Sequence, residues 1–135
     1  MARSKGEEHI ARLLHEAGIP FETEKIIDAR GFKGYKLPYD FYGIRDGNEF
    51  LIEFQGAEHY EYIPYFHKKP ADFKRRQIYD ERKIGAAIAM GVPLYCIPYW
   101  DLESIQCADD LFKDKYLARS QNHNYEAFRA HNSNL

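Results

Sequence analysis

The sequence predicts an α/β fold, and three observations carry that prediction. Asp46-Gly47 stands between two aromatic and β-branched runs, Leu37 to Arg45 and Glu49 to Gln55, the signature of a β-hairpin with a two-residue turn. A helical stretch from Asp72 to about Met90 is followed by Gly91, Pro93 and the apolar run Val92 to Pro98, so strand, long helix and strand succeed one another and imply a right-handed crossover. The chain has 135 residues, 44% of them hydrophobic, enough for one sizeable core and too few for two ordinary domains.

The elements follow in order. Ser4-Lys5-Gly6-Glu7 has the spacing of a capping box, and Ile10, Leu13, Leu14 and Ala17 continue at helical spacing, so a first helix is expected from about Lys5 to Ala17. Gly18 and Pro20 end it. Phe21 to Ile27 alternates as a first strand, and Asp28 to Gly34 reads as a loop. After the hairpin, Gly56 to Ala71 forms a long polar and aromatic loop that Asp72 closes by capping the second helix. A third helix is expected near Asp101 to Ile105 or Asp109 to Ala118. Residues 121–135, rich in Asn and His and without periodicity, read as a loosely held polar tail behind a domain over 1–120.

Charge narrows the function classes. With 19 basic and 21 acidic residues the net charge is −2, which excludes nucleic-acid binding by bulk charge alone. Between His67 and Lys83, however, seven basic residues (Lys68, Lys69, Lys74, Arg75, Arg76, Arg82, Lys83) meet three acidic ones, a local net of +4. Tyr60, Tyr62, Tyr65, Phe66, Phe73 and Tyr79 interleave with them, and aromatics among cations can stack on bases while the cations meet phosphates. On charge alone, a solvated helix face with some core aromatics is the favoured reading of the run. Two cysteines cannot build a disulfide framework or a zinc cluster, and no apolar run reaches the roughly 18 residues of a membrane span or resembles a secretory signal. A soluble protein of the cytoplasm is expected.

The chemistry concentrates on the hairpin. If Asp46-Gly47 is the turn, Arg45 pairs with Asn48 and Asp40 lies opposite Glu53. Directly opposed Cβ atoms are about 4.5 to 5.5 Å apart, close enough for both carboxylates to ligate one hard cation. Strand alternation puts Leu51, Glu53 and Gln55 on one face and Phe50, Ile52 and Phe54 on the other. Glu7 can complete the capping box or reach a metal from the helix start. On the second helix, the apolar stripe Phe73, Ile84, Ala87, Ile88 also contains Asp80, which therefore points inward and needs a partner: His59, Arg82, Lys83 or a metal site. His59, just after the acidic strand, is placed to hold a water or a phosphate oxygen, whereas His9, His15, His67, His123 and His131 lack such company. No Gly-rich phosphate loop and no nucleophile elbow is present.

Pro38-Tyr39-Asp40 followed by Glu53-Phe54-Gln55 resembles the signature of the PD-(D/E)xK nucleases, with Gln at the last position. The tract Ile52 to Tyr60, then Tyr79 to Lys83 and Pro93 to Tyr99, is similar to the very-short-patch-repair-like branch, which includes EDxHD homing endonucleases and small phage-type endonucleases. The resemblance spans about Lys5 to Trp100 and implies a restriction-endonuclease-like fold, a central mixed sheet with helices on both sides, and a Mg²⁺-dependent phosphodiesterase site in which Mn²⁺ can substitute. It places the site on Asp40, Glu53, Gln55, His59 and Asp80, with Asp40 and Glu53 on the metal, and it implies 5′-phosphate and 3′-hydroxyl ends. Gln55 stands where many relatives carry Asp or Lys. DNA is the expected partner, a homodimer an open option, and a membrane none. The rival readings are a catalytically inactive nucleic-acid-binding relative and a phage structural or interaction protein whose aromatic loop, Tyr60 to Phe66, contacts another protein.

Overall fold

Ser4 and Glu7 close the capping box expected of them. The Ser4 hydroxyl accepts the Glu7 N–H at 3.2 Å and the Glu7 carboxylate accepts the Ser4 N–H at 3.4 Å, satisfying two donors that a helix start otherwise leaves open. Helix α1 then runs Lys5–Glu16. The computed structural model describes residues 3–28 and 36–133. Apart from Asp28, the expected loop Asp28 to Gly34 lies outside the described residues.

Strands β1 (Phe21–Asp28), β2 (Lys36–Arg45), β3 (Asn48–Gln55) and β4 (Leu94–Pro98) form one sheet in that order. The first two pairings are antiparallel and the third is parallel, so the sheet is mixed. Asp46 and Gly47 have φ of 52° and 80°, the two positive values that a tight turn matched to strand twist demands. Helix α2 (Pro70–Met90) carries the chain from β3 to the parallel β4.

The two faces of the sheet are filled differently. On one, Phe41, Phe50, Ile52 and Ile97 pack against Ile10, Leu13 and Leu14 of α1, each buried side chain contributing roughly 1.5–3 kcal/mol. The approach is close: a Cβ at Gly6 would stand 2.4 Å from the Phe54 ring, so only glycine fits there. On the other, Tyr39, Leu51, Leu94 and Cys96 pack against Ile84, Ala86 and Ala87 of α2. Helices thus cover both faces, as expected of an α/β fold with a central mixed sheet. Among the described residues no helix is long and apolar enough to cross a membrane.

Four expectations are corrected. Helix α2 begins before Asp72, because Pro70 supplies a preset φ and lacks the N–H that a helix start leaves unpaired; Asp72 instead accepts the Lys69 N–H at 3.3 Å. The inward stripe of α2 does not include Ile88, which is 46% exposed; it runs through Asp80, Lys83, Ile84 and Ala87, with Ala86 beside it. No α-helix forms between Asp101 and Ala118. Short 3-10 turns cover Tyr99–Ser104, Ala108–Phe112 and Asp114–Tyr116, because Asp110 takes the Gln106 and Cys107 N–H groups and Ser104 bonds back to the Asp101 carbonyl, local bonds that compete with helix. Finally, the segment read as a loose tail contains helix α3 (His123–Ser133), held by rings: Phe128 stacks on Tyr60 at 5.4 Å and His131 on Trp100 at 4.3 Å.

Candidate active site

The hairpin register decides where the acids fall. The ladder pairs Arg45 with Asn48 and runs to Phe41 with Ile52, as the two-residue turn requires. One step further the strands stop pairing through their backbones and are bridged by carboxylates. The Asp40 N–H donates to Glu53 Oε2 at 3.1 Å, and the Phe54 N–H donates to Asp40 Oδ2 at 2.9 Å. Here β2 is still paired outward to β1, through Tyr39 with Lys25, while β3 is paired to β4, through Glu53 with Cys96. Asp40 and Glu53 therefore occupy a fork in the sheet, where backbone donors offset part of their repulsion.

Lys83 completes the fork. Its Nζ pairs with Glu53 Oε1, and it lies 5.2 Å from the centre of the Tyr39 ring and 5.6 Å from that of Tyr79. The Tyr39 hydroxyl donates to the Lys83 carbonyl at 2.8 Å, tying helix to strand at this point. Lys83 is only 7% exposed, and burial pulls its ammonium down to about 8, against the opposing pull of the Asp40 carboxylate. Burial likewise raises the Asp40 carboxyl above its ordinary value, a rise reduced by Lys83, the Phe54 N–H, His59 and Arg76. Lys83 therefore does not belong with the solvent-facing basic residues among which its sequence neighbours place it. The spacing from Asp80 through Lys83 and Ile84 to Ala87 was the signal that could have found it.

Asp80 points inward as expected, and its partner is His59. Asp80 Oδ2 lies 2.7 Å from His59 Nδ1, and Glu58 Oε1 lies 3.6 Å from His59 Nε2, so two carboxylates bracket the imidazole. The 3-10 turn Ala57–His59 that directly follows β3 presents both Glu58 and His59. Gln55 shares the α2 face with Glu53, is buried, and its Oε1 has no hydrogen-bond partner among the described residues. Glu7 is not brought to the site. It is engaged with Ser4 at the start of α1, a helix that packs on the opposite face of the sheet.

Asp40, Glu58 and Lys83 open into a cleft of about 920 Å³, also lined by Glu24, His67, Asp72, Arg75, Arg76 and Tyr79. Arg76 lies 5.9 Å from the centre of the Tyr79 ring, and Arg75 pairs with Asp72. Lys68, Lys69, Lys74 and Arg82 are exposed and lie outside the lining of this cleft. Among the described residues no group of three or more His, Cys, Asp or Glu is gathered as a metal cage. Asp40 and Glu53, on adjoining strands, are nonetheless hard-oxygen groups that could hold Mg²⁺, which commonly takes one or two carboxylates and completes its shell with water and substrate phosphate.

No family model matches the chain. Over 48 residues it is 40% identical to the "Uncharacterized protein 307L" of Invertebrate iridescent virus 6, a match that covers 36% of this chain and 24% of that protein. The chain thus matches about a quarter of that relative's length. No solved structure matches.

Proposed function

We propose that the chain is a metal-dependent DNA endonuclease that hydrolyses phosphodiester bonds, carried by a phage, virus or mobile element. The observation that carries this reading is the convergence of Asp40, Glu53 and Lys83, from two strands and a helix, at one fork that opens into a cleft with Arg75 and Arg76 on its wall. Burying an ammonium against a carboxylate is costly. A relative that merely bound nucleic acid would have no use for one at the bottom of a cleft, and this favours the active reading over the inactive one. The short match to an iridescent-virus protein is compatible with the proposed origin.

Asp40 and Glu53 would hold Mg²⁺ or Mn²⁺. Such a cation would supply Lewis-acid polarisation of a phosphate oxygen and activation of a water. The remaining steps belong to the side chains. Lys83, poised near neutrality by burial, orients the attacking water or meets the charge that develops on the phosphate, taking the position that Gln55 cannot fill. Asp80 fixes the His59 ring through Nδ1, leaving Nε2 to hold or pass a proton beside Glu58. Arg75 and Arg76 steer the backbone of the strand into the cleft without reading its sequence.

The test is incubation with supercoiled, linear, single-stranded and branched DNA in Mg²⁺ or Mn²⁺, then in chelator. Cleavage of at least one form, abolished by chelator, is the expected result. Intact DNA under every condition would overturn the reading.

A further inference from the structure

Three residues before α2, His67 is held in a way that its local surroundings do not explain. It is 4% exposed, its ring stacked on Tyr62 at 5.9 Å and set edge-on to Phe73 at 5.4 Å. Its Nδ1 accepts the Ile63 N–H at 2.9 Å, while the His67 backbone N–H donates to the Ile63 carbonyl at 2.8 Å, so a single turn of chain holds the imidazole. A nitrogen that accepts a hydrogen bond has spent its lone pair and carries no proton. The neutral ring must therefore bear its proton on Nε2, which makes that atom a donor.

Among the described residues that donor has no partner. Nε2 is buried and makes no hydrogen bond, although His67 lines the same cleft as Asp40, Arg75, Arg76 and Lys83. Four carboxylates, Glu24, Asp40, Glu58 and Asp72, share the lining, yet none takes the bond. An unpaired buried donor is a standing cost unless something brought into the cleft accepts from it. The acceptor that suits a neutral N–H beside two guanidinium groups is an oxyanion. From Arg76 to Lys83 is two turns of helix, about 10 Å at 1.5 Å per residue, so an anion at the His67 end of the cleft is not the one beside Glu53.

We infer that His67 is a positioning residue of the cleft, whose Nε2–H binds a non-bridging oxygen of a nucleic-acid phosphate flanking the one to be cleaved. The inference rests on the phosphodiesterase reading and adds to it a subsite at the start of α2. Because the donor is neutral, it should contribute affinity without releasing a counterion, unlike Arg75 or Arg76.

Binding of a mixed-sequence DNA duplex in chelator, across a range of salt concentrations, tests this. His67→Asn keeps an oxygen for the Ile63 N–H and removes the Nε2 donor; His67→Phe keeps the stacked ring and removes both nitrogens. Both should bind about tenfold more weakly, as expected for a hydrogen bond to a charged group. The slope of log affinity against log salt should stay at its wild-type value, whereas Arg76→Gln should flatten it by about 0.9. In the wild type, the Nε2 proton resonance should move when duplex is added, a readout that needs no variant to fold. Wild-type affinity in both variants, or an unmoved resonance on a bound duplex, overturns the role of His67 and leaves the phosphodiesterase reading intact. Absence of any salt-dependent DNA binding by the wild type overturns both.

Discussion

The two faces of the sheet divide the work of the molecule. The α1 face is closed by aliphatic and aromatic side chains, Ile10, Leu13, Leu14, Phe50 and Ile52 among them, and contains no buried charge among the described residues. The α2 side holds the buried polar groups: Glu53, Gln55, Asp80 and Lys83 between strand and helix, and His67 at the approach to α2. Folding gains from burying apolar surface and loses from burying charge. A sheet that concentrates the loss on one side can set the second against the first, and the polar side is the one that opens into a cleft.

The sharpest break of that division is Glu53→Gln, a change of charge without a change of size. It should abolish cleavage. It also leaves Lys83 buried without its partner, so stability should fall by about 3–5 kcal/mol, measured by denaturant unfolding. The sign with pH follows from the lysine. Its value in the folded protein is pulled to about 8 from an ordinary 10.5, so between those values the unfolded chain binds a proton that the folded protein has shed. Loss of the Glu53 charge lowers the Lys83 ammonium further, so the variant's window opens below the wild-type one, and its stability should climb as pH rises toward 10.5.

Asp80→Asn should do less. It frees the His59 ring from its carboxylate, and turnover should drop by roughly 10² to 10⁴, the range of a positioned proton-transfer group. Single-turnover cleavage and thermal melting on the same variant separate the two roles, since a merely structural Asp80 would give wild-type turnover with a lower melting temperature. On the apolar face, Leu14→Ala should cost about 2–5 kcal/mol of stability through the cavity it leaves. Cleavage per folded molecule should be unchanged below the melting transition; a loss of turnover there would show that the two faces are coupled.

The hairpin and its acids were legible in the sequence because a two-residue Asp-Gly turn permits a single register, and register alone sets Asp40 beside Glu53. Asp80 was legible because a carboxylate on an apolar stripe must find a partner. Lys83 was hidden by Arg82 and the basic run before it, since a charge run reads as solvated whichever of its members turns inward. The role of His67 depends on a turn closed by its own neighbours, which leaves no periodic trace. Helix α3 was missed because its anchors are stacked rings, Phe128 on Tyr60 and His131 on Trp100, so no apolar stripe marks it. The turns after β4 read as a helix because Asp101, Asp109 and Asp110 resemble capping residues, yet only the Asp110 carboxylate among them takes nearby backbone N–H groups, those of Gln106 and Cys107, and no α-helix follows it.

The central claim is that the fork of Asp40 and Glu53 performs chemistry at a cost in stability, and Asp40→Asn tests it most directly. Burial raises the Asp40 carboxyl, so its charged form is disfavoured in the folded protein, and a neutral isostere removes that penalty at neutral pH. Mg²⁺-dependent nicking of supercoiled DNA and the melting temperature should be measured side by side on wild type and variant, purified identically. The account predicts that nicking disappears while the melting temperature holds or rises. Undiminished nicking by the variant, or a variant that melts well below the wild type, would contradict it.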